Sequence, residues 1–204
     1  MDLSFGPEYD DFRSDVVNFL NNNSNKAPKG GDLRGEQAKD WQKLLIENGY
    51  TCRTIPKEYG GFGAEPDIIK SRIIGEEFSK SRVNPGLGGQ GISMLVPTLL
   101  EMGTEEQKQK FIRPTIHGDM IWCQGYSEPG AGSDLASLTT AAVLDGDEWV
   151  VNGQKIWTST AHLADWIFCL VRSEPEAPKH KGISFLLFEM TTPGIEIRPL
   201  VDMT

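Results

Sequence analysis

The chain has 204 residues, 38% of them hydrophobic and 24% charged. That composition belongs to a soluble globular protein with enough chain to bury a core without disulfide staples, and it excludes a peptide toxin and a disordered polymer. Twenty Lys and Arg against 29 Asp and Glu give a formal charge of −9. No segment concentrates the basic residues, so binding to nucleic acid or to an anionic membrane surface is not expected. The longest apolar runs are too short to cross a bilayer.

The start, Met1-Asp2-Leu3-Ser4-Phe5-Gly6-Pro7-Glu8, has neither the basic and apolar regions of a signal peptide nor the Arg/Ser richness of a transit peptide. A cytoplasmic location is expected on that basis. The apolar residues then recur with helical period. Tyr9, Phe12, Val16, Phe19 and Leu20 mark one face of a first helix, which ends in the polar run Asn21 to Asn25. Ala38, Trp41, Leu44 and Leu45 mark a second, with Gly49 as its stop. Pro66 is placed to open a third, whose face is Ile69, Ile73 and Phe78. Pro97 is expected to kink a fourth apolar segment, Ile92 to Leu100, or to confine it to a first turn. Thr104-Glu105-Glu106-Gln107 is a capping-box pattern.

After about residue 118 the pattern changes to short β-branched and aromatic runs. Segments near Ile121–Tyr126, Leu138–Leu144, Trp149–Val151, Lys155–Thr158, Trp166–Arg172, Ile183–Phe188 and Ile195–Leu200 read as strands. Asp145-Gly146 and Asn152-Gly153 offer the positive φ of tight hairpin turns. The expected fold class is therefore α+β: an all-α helical domain over residues 1–118, then an incomplete antiparallel β-barrel or sandwich over 119–204.

Chemistry-bearing motifs are few. Gly86-Leu87-Gly88-Gly89-Gln90-Gly91 fits G-x-G-x-x-G literally, but helical spacing and a turn precede it where a dinucleotide-binding unit needs a strand, so a connection between helices is the better reading. Ser127-Glu128-Pro129-Gly130-Ala131-Gly132-Ser133-Asp134 joins two strands with small residues that let a backbone approach a ligand. Its carboxylates, Glu128 and Asp134, suit a capping or orienting role better than acid–base work. Asn152-Gly153-Gln154-Lys155-Ile156-Trp157-Thr158-Ser159 places a tryptophan beside two hydroxyls, a surface suited to a planar heterocycle. His117, His162 and His180 lack metal-ligand spacing, and Cys52, Cys123 and Cys169 lack the spacing of a disulfide framework.

In order, the helical first half, the run Cys123-Gln124-Gly125-Tyr126-Ser127-Glu128-Pro129-Gly130-Ala131-Gly132-Ser133-Asp134-Leu135 and the run Asn152 to Ser159 resemble the acyl-CoA dehydrogenase flavoprotein family. Pro56-Lys57-Glu58-Tyr59-Gly60-Gly61 and Met102-Gly103-Thr104-Glu105-Glu106-Gln107-Lys108 are similar to that family's helical domain. The resemblance implies an α domain, a middle β domain and FAD lying against the latter. It implies FAD contacts from Gln124, Gly125, Tyr126, Ser127, Gly132, Ser133, Trp157, Thr158 and Ser159, with Tyr126 and Ser127 at the pyrimidine side of the isoalloxazine and Ser159 near its N5. Ser133 would be shared with the pantetheine arm of the acyl-CoA. Ser127 and Ser159 stand where many members carry Thr, and Gln124-Gly125 replaces more apolar residues.

The implied reaction is α,β-dehydrogenation of an acyl-CoA thioester, with an electron-transfer flavoprotein or a similar acceptor as redox partner. In the family the catalytic base is a glutamate of a third, C-terminal helical domain, and no residue of this chain matches it. The chain alone is therefore expected to be inactive, and as a β domain lacking its last strands it is expected to associate with itself or with another chain. A non-catalytic binding or assembly subunit is the alternative.

Overall fold

The computed structural model describes residues 6–30 and 34–200. They form two compact units, Met1–Asp119 and Met120–Thr204, each with its own core. Among the described residues no helix is long and apolar enough to cross a membrane.

The first unit is helical. Helix α1 (Pro7–Asn23) begins with proline in its first turn, where the missing N–H costs nothing, and buries Val16, Phe19 and Leu20 at i, i+3 and i+4. Helix α2 (Glu36–Glu47) buries Ala38, Trp41, Gln42, Leu45 and Ile46. It stops at Gly49, whose φ of +71° is followed by a Tyr50 N–H donated to the Leu45 carbonyl. Helix α3 (Ile68–Ser81) starts later than Pro66 suggests: the Asp67 carboxylate caps it by accepting the Lys70 N–H at 2.9 Å. Its buried Ile73, Ile74 and Phe78 meet the apolar faces of α1 and α2 in one cluster. Arg13 of α1 ties the outer side of this packing to Glu76 at 2.9 Å and to Glu77.

Beyond Arg82 the glycine-rich segment 86–91 runs between α3 and a π-helical turn (Gly91–Leu95) that leads into α4 (Val96–Met102). Pro97 sits in the first turn of α4, one of the two places allowed to it. Helix α5 (Glu105–Ile116) opens with both hydrogen bonds of the capping box, Gln107 N–H to Thr104 Oγ1 and Thr104 N–H to Gln107 Oε1. The glycines of 86–91 answer to the protein's own core. Gln42, fully buried on α2, accepts the Leu87 N–H at 2.7 Å and donates to the Ile116 carbonyl at 2.8 Å. Gly86 has φ +101°, and a Cβ there would lie 2.5 Å from the Gln42 amide oxygen. Among the described residues no strand precedes this segment, so the structure gives it no dinucleotide-binding setting.

Among the described residues the second unit carries a five-stranded mixed sheet: β1 (Trp122–Gly125), β2 (Ala141–Asp145), β3 (Glu148–Asn152), β4 (Trp166–Arg172) and β5 (Ile183–Glu189). Strand β4 is central. β1 pairs with it in parallel from Trp122↔Trp166 to Gly125↔Cys169, and β2 joins in parallel through Ala141↔Arg172. β5 runs antiparallel to all of β4, and β2 and β3 form an antiparallel hairpin around Gly146 at φ +63°.

The helical half followed by a β half is as the sequence suggests. The sheet, however, is mixed rather than antiparallel and, among the described residues, does not close into a barrel. Two of the expected strands are absent. Lys155–Thr158 follows Asn152-Gly153 as irregular backbone, because Trp157 adopts φ +59°, which no strand accommodates. Ile195–Leu200 has no pairing partner among the described residues. Asn152-Gly153 is accordingly not a hairpin turn. Gly153 is needed for close approach, since a Cβ on it would lie 2.3 Å from Thr140 Oγ1.

One face of β4 packs Ile167, Cys169 and Val171 against Cys123 and Ala142. The other face centres on the fully buried Phe168, with Phe185 stacked at 5.7 Å and Tyr126 edge-on at 5.8 Å between ring centroids. Burial pushes the Cys123 thiol up to about 12 and that of Cys169 up to about 11, so both are packing groups rather than nucleophiles.

Substituting Gln42→Leu should destabilise the helical unit by about 2–3 kcal/mol, because the Leu87 N–H and the Ile116 carbonyl are then buried without partners. Urea unfolding followed by circular dichroism measures this, and a loss below about 0.5 kcal/mol contradicts the latch.

Candidate functional site

The two motifs singled out in the sequence meet in the second unit. The first leaves the sheet at the end of β1. Gln124 is half-buried and its Cα faces that of Phe168 on β4, while Gly125 is buried against Cys169. A Cβ on Gly125 would come within 2.9 Å of the Cys169 sulfur and of Ile167 Cδ1, so β1 can lie against β4 here only with glycine. Tyr126 and Ser127 follow, both half-buried. The chain then turns through an isolated bridge between Glu128 and Ala131, closed by N–H···O bonds of 2.9 and 3.1 Å.

Gly132, Ser133 and Asp134 form the exposed tip of this loop. A Cβ placed on Gly130 or Gly132 would meet nothing within 4 Å, which leaves open space over their backbone. Asp134 is tied down by the Lys179 ammonium at 2.5 Å and by the Ser137 hydroxyl, and these contacts hold its carboxyl below the usual aspartate range.

The second motif is fastened to the first by main chain and by charge. Ile156 donates its N–H to the Ser127 carbonyl at 2.9 Å. Lys155 donates from Nζ to Glu128 Oε1 at 2.9 Å and to the Tyr126 carbonyl at 3.1 Å. Both side chains are nearly buried, with 10% and 5% of their surface exposed. Glu128 also accepts the Thr139 N–H, the Thr139 hydroxyl and the Thr140 N–H at 2.7–2.8 Å. Burial by itself would raise the Glu128 carboxyl, but the hydrogen bonds from the Thr139–Thr140 segment and from Lys155 outweigh it and hold the group down to about 2.

Glu128 is thus an anchor that is ionised at neutral pH, as its setting in a turn suggests. Just beyond Lys155 the backbone inverts at Trp157, φ +59°, and again at Thr160, φ +65°. Trp157 is turned outward with 67% of its surface exposed, beside a half-buried Thr158 and an exposed Ser159. A positive φ on a β-branched or bulky residue is strained, and such outliers cluster where a ligand is held.

The structure therefore joins Tyr126–Glu128 to Lys155 and Ile156, immediately before Trp157–Ser159, and carries Gly132 and Ser133 on the loop between. Sequence reasoning passed over Lys155, Thr139 and Thr140. No periodicity marks them, because their bonds to Glu128 span 11 to 27 residues of chain. Among the described residues no group of His, Cys, Asp and Glu is arranged to hold a metal ion.

Comparison with known proteins gives this arrangement a family. Residues 6–119 match the model of the acyl-CoA dehydrogenase N-terminal domain, and residues 123–204 match that of the acyl-CoA dehydrogenase middle domain. The chain belongs to the acyl-CoA dehydrogenase family. Acyl-CoA dehydrogenase IpdE1 of Mycobacterium tuberculosis is 43% identical over 169 residues, which are 83% of this chain and 43% of that protein. Acyl-CoA dehydrogenase FadE34 of the same organism is 48% identical over 80% of this chain and 22% of its own length. The solved ChsE4–ChsE5 complex of M. tuberculosis aligns with all of this chain and 52% of the matched chain, at 33% identity and a TM-score of 0.75. The chain thus spans about half, or less, of the length of these relatives.

Replacing Glu128 by Ala should lower stability by about 3 kcal/mol, because a nearly buried ammonium is left without its carboxylate. The pH dependence follows from a carboxyl whose folded pKa lies below its unfolded value. The stability Glu128 contributes is complete above about pH 5 and is lost as the pH falls through 4 toward 2. Urea titrations from pH 7 to pH 3 should show the gap between the unsubstituted chain and Glu128→Gln narrowing on the acid side; a gap that widens there contradicts the assignment.

Proposed function

We propose that this chain supplies the flavin-facing part of an FAD-dependent acyl-CoA dehydrogenase acting on the α,β carbons of an acyl-CoA thioester. The observation that carries the reading is the brace between the two motifs: Lys155 and Ile156 are bonded to the Tyr126 and Ser127 carbonyls, and the outward-turned Trp157 with its neighbouring hydroxyls follows directly in the chain. The residues present fit a flat, hydrogen-bonding cofactor. There is an exposed indole, there are hydroxyls at 127, 133, 158 and 159, and there is glycine backbone with open space above it.

In this reading Trp157 packs on the isoalloxazine ring, and Thr158 and Ser159 donate to its polar edge. Tyr126 and Ser127 meet the pyrimidine side, supported from behind by Gln124 and Gly125. Gly132 lets the loop backbone approach, and the Ser133 hydroxyl is shared with the pantetheine arm of the substrate. Bound FAD would supply the two-electron acceptor that no amino-acid side chain can provide. The chain's own contribution is orientation, hydrogen bonding and exclusion of water from the ring.

Glu128 and Asp134 are committed to Lys155 and Lys179, so neither is assigned the α proton. We assign that step to a carboxylate outside the described residues, in this polypeptide or in an associated one. An acyl-CoA, an electron-transfer flavoprotein or similar acceptor, a further copy or a related chain, and a cytoplasmic setting complete the proposal. That the solved structural relatives include a complex of two chains also supports the second reading, an assembly subunit that holds the fold without turnover.

Titrating the purified chain with FAD distinguishes these readings. Quenching of flavin fluorescence with appearance of the bound-flavin absorbance supports cofactor binding, and Trp157→Ala should weaken it by about tenfold through loss of the stacking face. Absence of binding, with any associated chain supplied, rejects the flavin assignment. Binding without dye reduction by an acyl-CoA, even in the assembled complex, favours the assembly subunit.

A further inference from the structure

The peptide joining Tyr126 to Ser127 is gripped on one side. Its carbonyl oxygen lies 3.1 Å from Lys155 Nζ, an ammonium that is itself 2.9 Å from Glu128 Oε1. A trans peptide is planar, with its C=O and N–H directed oppositely. A carbonyl drawn onto the nearly buried ammonium therefore aims the Ser127 N–H the other way. The next carbonyl, that of Ser127, accepts the Ile156 N–H at 2.9 Å, and Trp157 comes one residue later. One lysine consequently governs two things: the direction of the Ser127 amide and the place where the Trp157 segment begins.

We propose that Lys155, neutralised by Glu128, is a positioning residue that presents the Ser127 amide N–H as a donor to the pyrimidine edge of the flavin and holds Trp157 in register with it. The inference rests on the flavin reading above and extends it to residues that need not touch the cofactor. Lysine suits the task because its ammonium carries several donors on a flexible stem and can serve a carboxylate and a carbonyl together. Glu128 suits it because its remaining lone pairs are taken by Thr139 and Thr140, immediately before β2, so the ammonium is anchored at the start of a sheet strand.

A brace that only stabilises the fold behaves differently from one that aims a peptide. Exchanging a buried ion pair for uncharged groups of similar size is often close to neutral in stability. The double substitution Lys155→Met with Glu128→Gln therefore removes the aim without leaving a charge buried alone, while the Gln amide keeps an acceptor for only one of the two donor sets, from Thr139 and from Thr140, that the carboxylate served. In the intact chain we expect it to fold without FAD, at a lower urea midpoint than the unsubstituted chain. It should bind FAD at least tenfold more weakly by fluorescence quenching, and the absorbance bands of the bound flavin should shift.

Unchanged affinity and unchanged bands in a stably folded double variant would make the pair a structural brace only and overturn the inference. If the double variant does not fold, Lys155→Arg decides: it keeps the charge but moves the donors, so several-fold weaker binding and shifted bands are expected, and an unaltered affinity and spectrum overturn the proposal. Failure of the unsubstituted chain itself to bind FAD has a different signature, since no variant then has anything to lose, and it removes the flavin reading and this inference together.

Discussion

A carboxylate and an ammonium enclosed together beneath a loop set the terms for the rest of the β unit. The segment from Gly153 to Thr160 has no ladder of backbone hydrogen bonds to define it, and two of its residues are in the left-handed region. Such a segment keeps one conformation only if its surroundings over-determine it. The Lys155–Glu128 pair, with the Ile156 N–H to Ser127 carbonyl bond beside it, provides that determination. The pair is costly to desolvate, and it is tolerated because Glu128 accepts from three further donors while Lys155 also serves a carbonyl. In the proposed flavin site this arrangement would have a purpose, since the segment it fastens carries the outward-turned Trp157.

The helical unit reaches order by a related device without charge. Gln42 spends both ends of its amide on backbone groups 45 and 74 residues further along the chain, and so fastens the glycine segment after α3 and the end of α5 to the middle of α2. The close approach of its oxygen to Gly86 explains a glycine that motif-matching would assign to a pyrophosphate. In both units a buried polar side chain, fully satisfied, fixes irregular backbone that hydrophobic packing cannot specify.

The mixed sheet has a local cause as well. Strand β4 is apolar on both faces and lies between β5 on one edge and β1 followed by β2 on the other, so it can receive parallel neighbours whose connections run outside it. The β2–β3 hairpin, where Val143, Leu144, Trp149 and Val150 are all exposed, extends beyond that centre. A sequence with turn dipeptides between short strands suggests antiparallel pairing throughout. Pairing direction, however, is a property of which strands meet, and these strands meet across long connections.

Much was determined by the sequence by itself: three helices from their apolar period, the capping box at Thr104, the change from helix to strand near residue 118, and the family from two motifs with their spacing. Those features depend on neighbours within a few residues, where periodicity and capping chemistry act directly. The tertiary structure alone decided the parallel pairing of β1 and β2 with β4, the cap by Asp67 in place of an opening at Pro66, the irregular course of Lys155–Thr158, and the partnership of Glu128 with Lys155. Hydrogen bonds between residues 27 apart, such as that pair, leave no mark on local pattern. They follow from where the sheet brings two loops together, and that placement carries the candidate site.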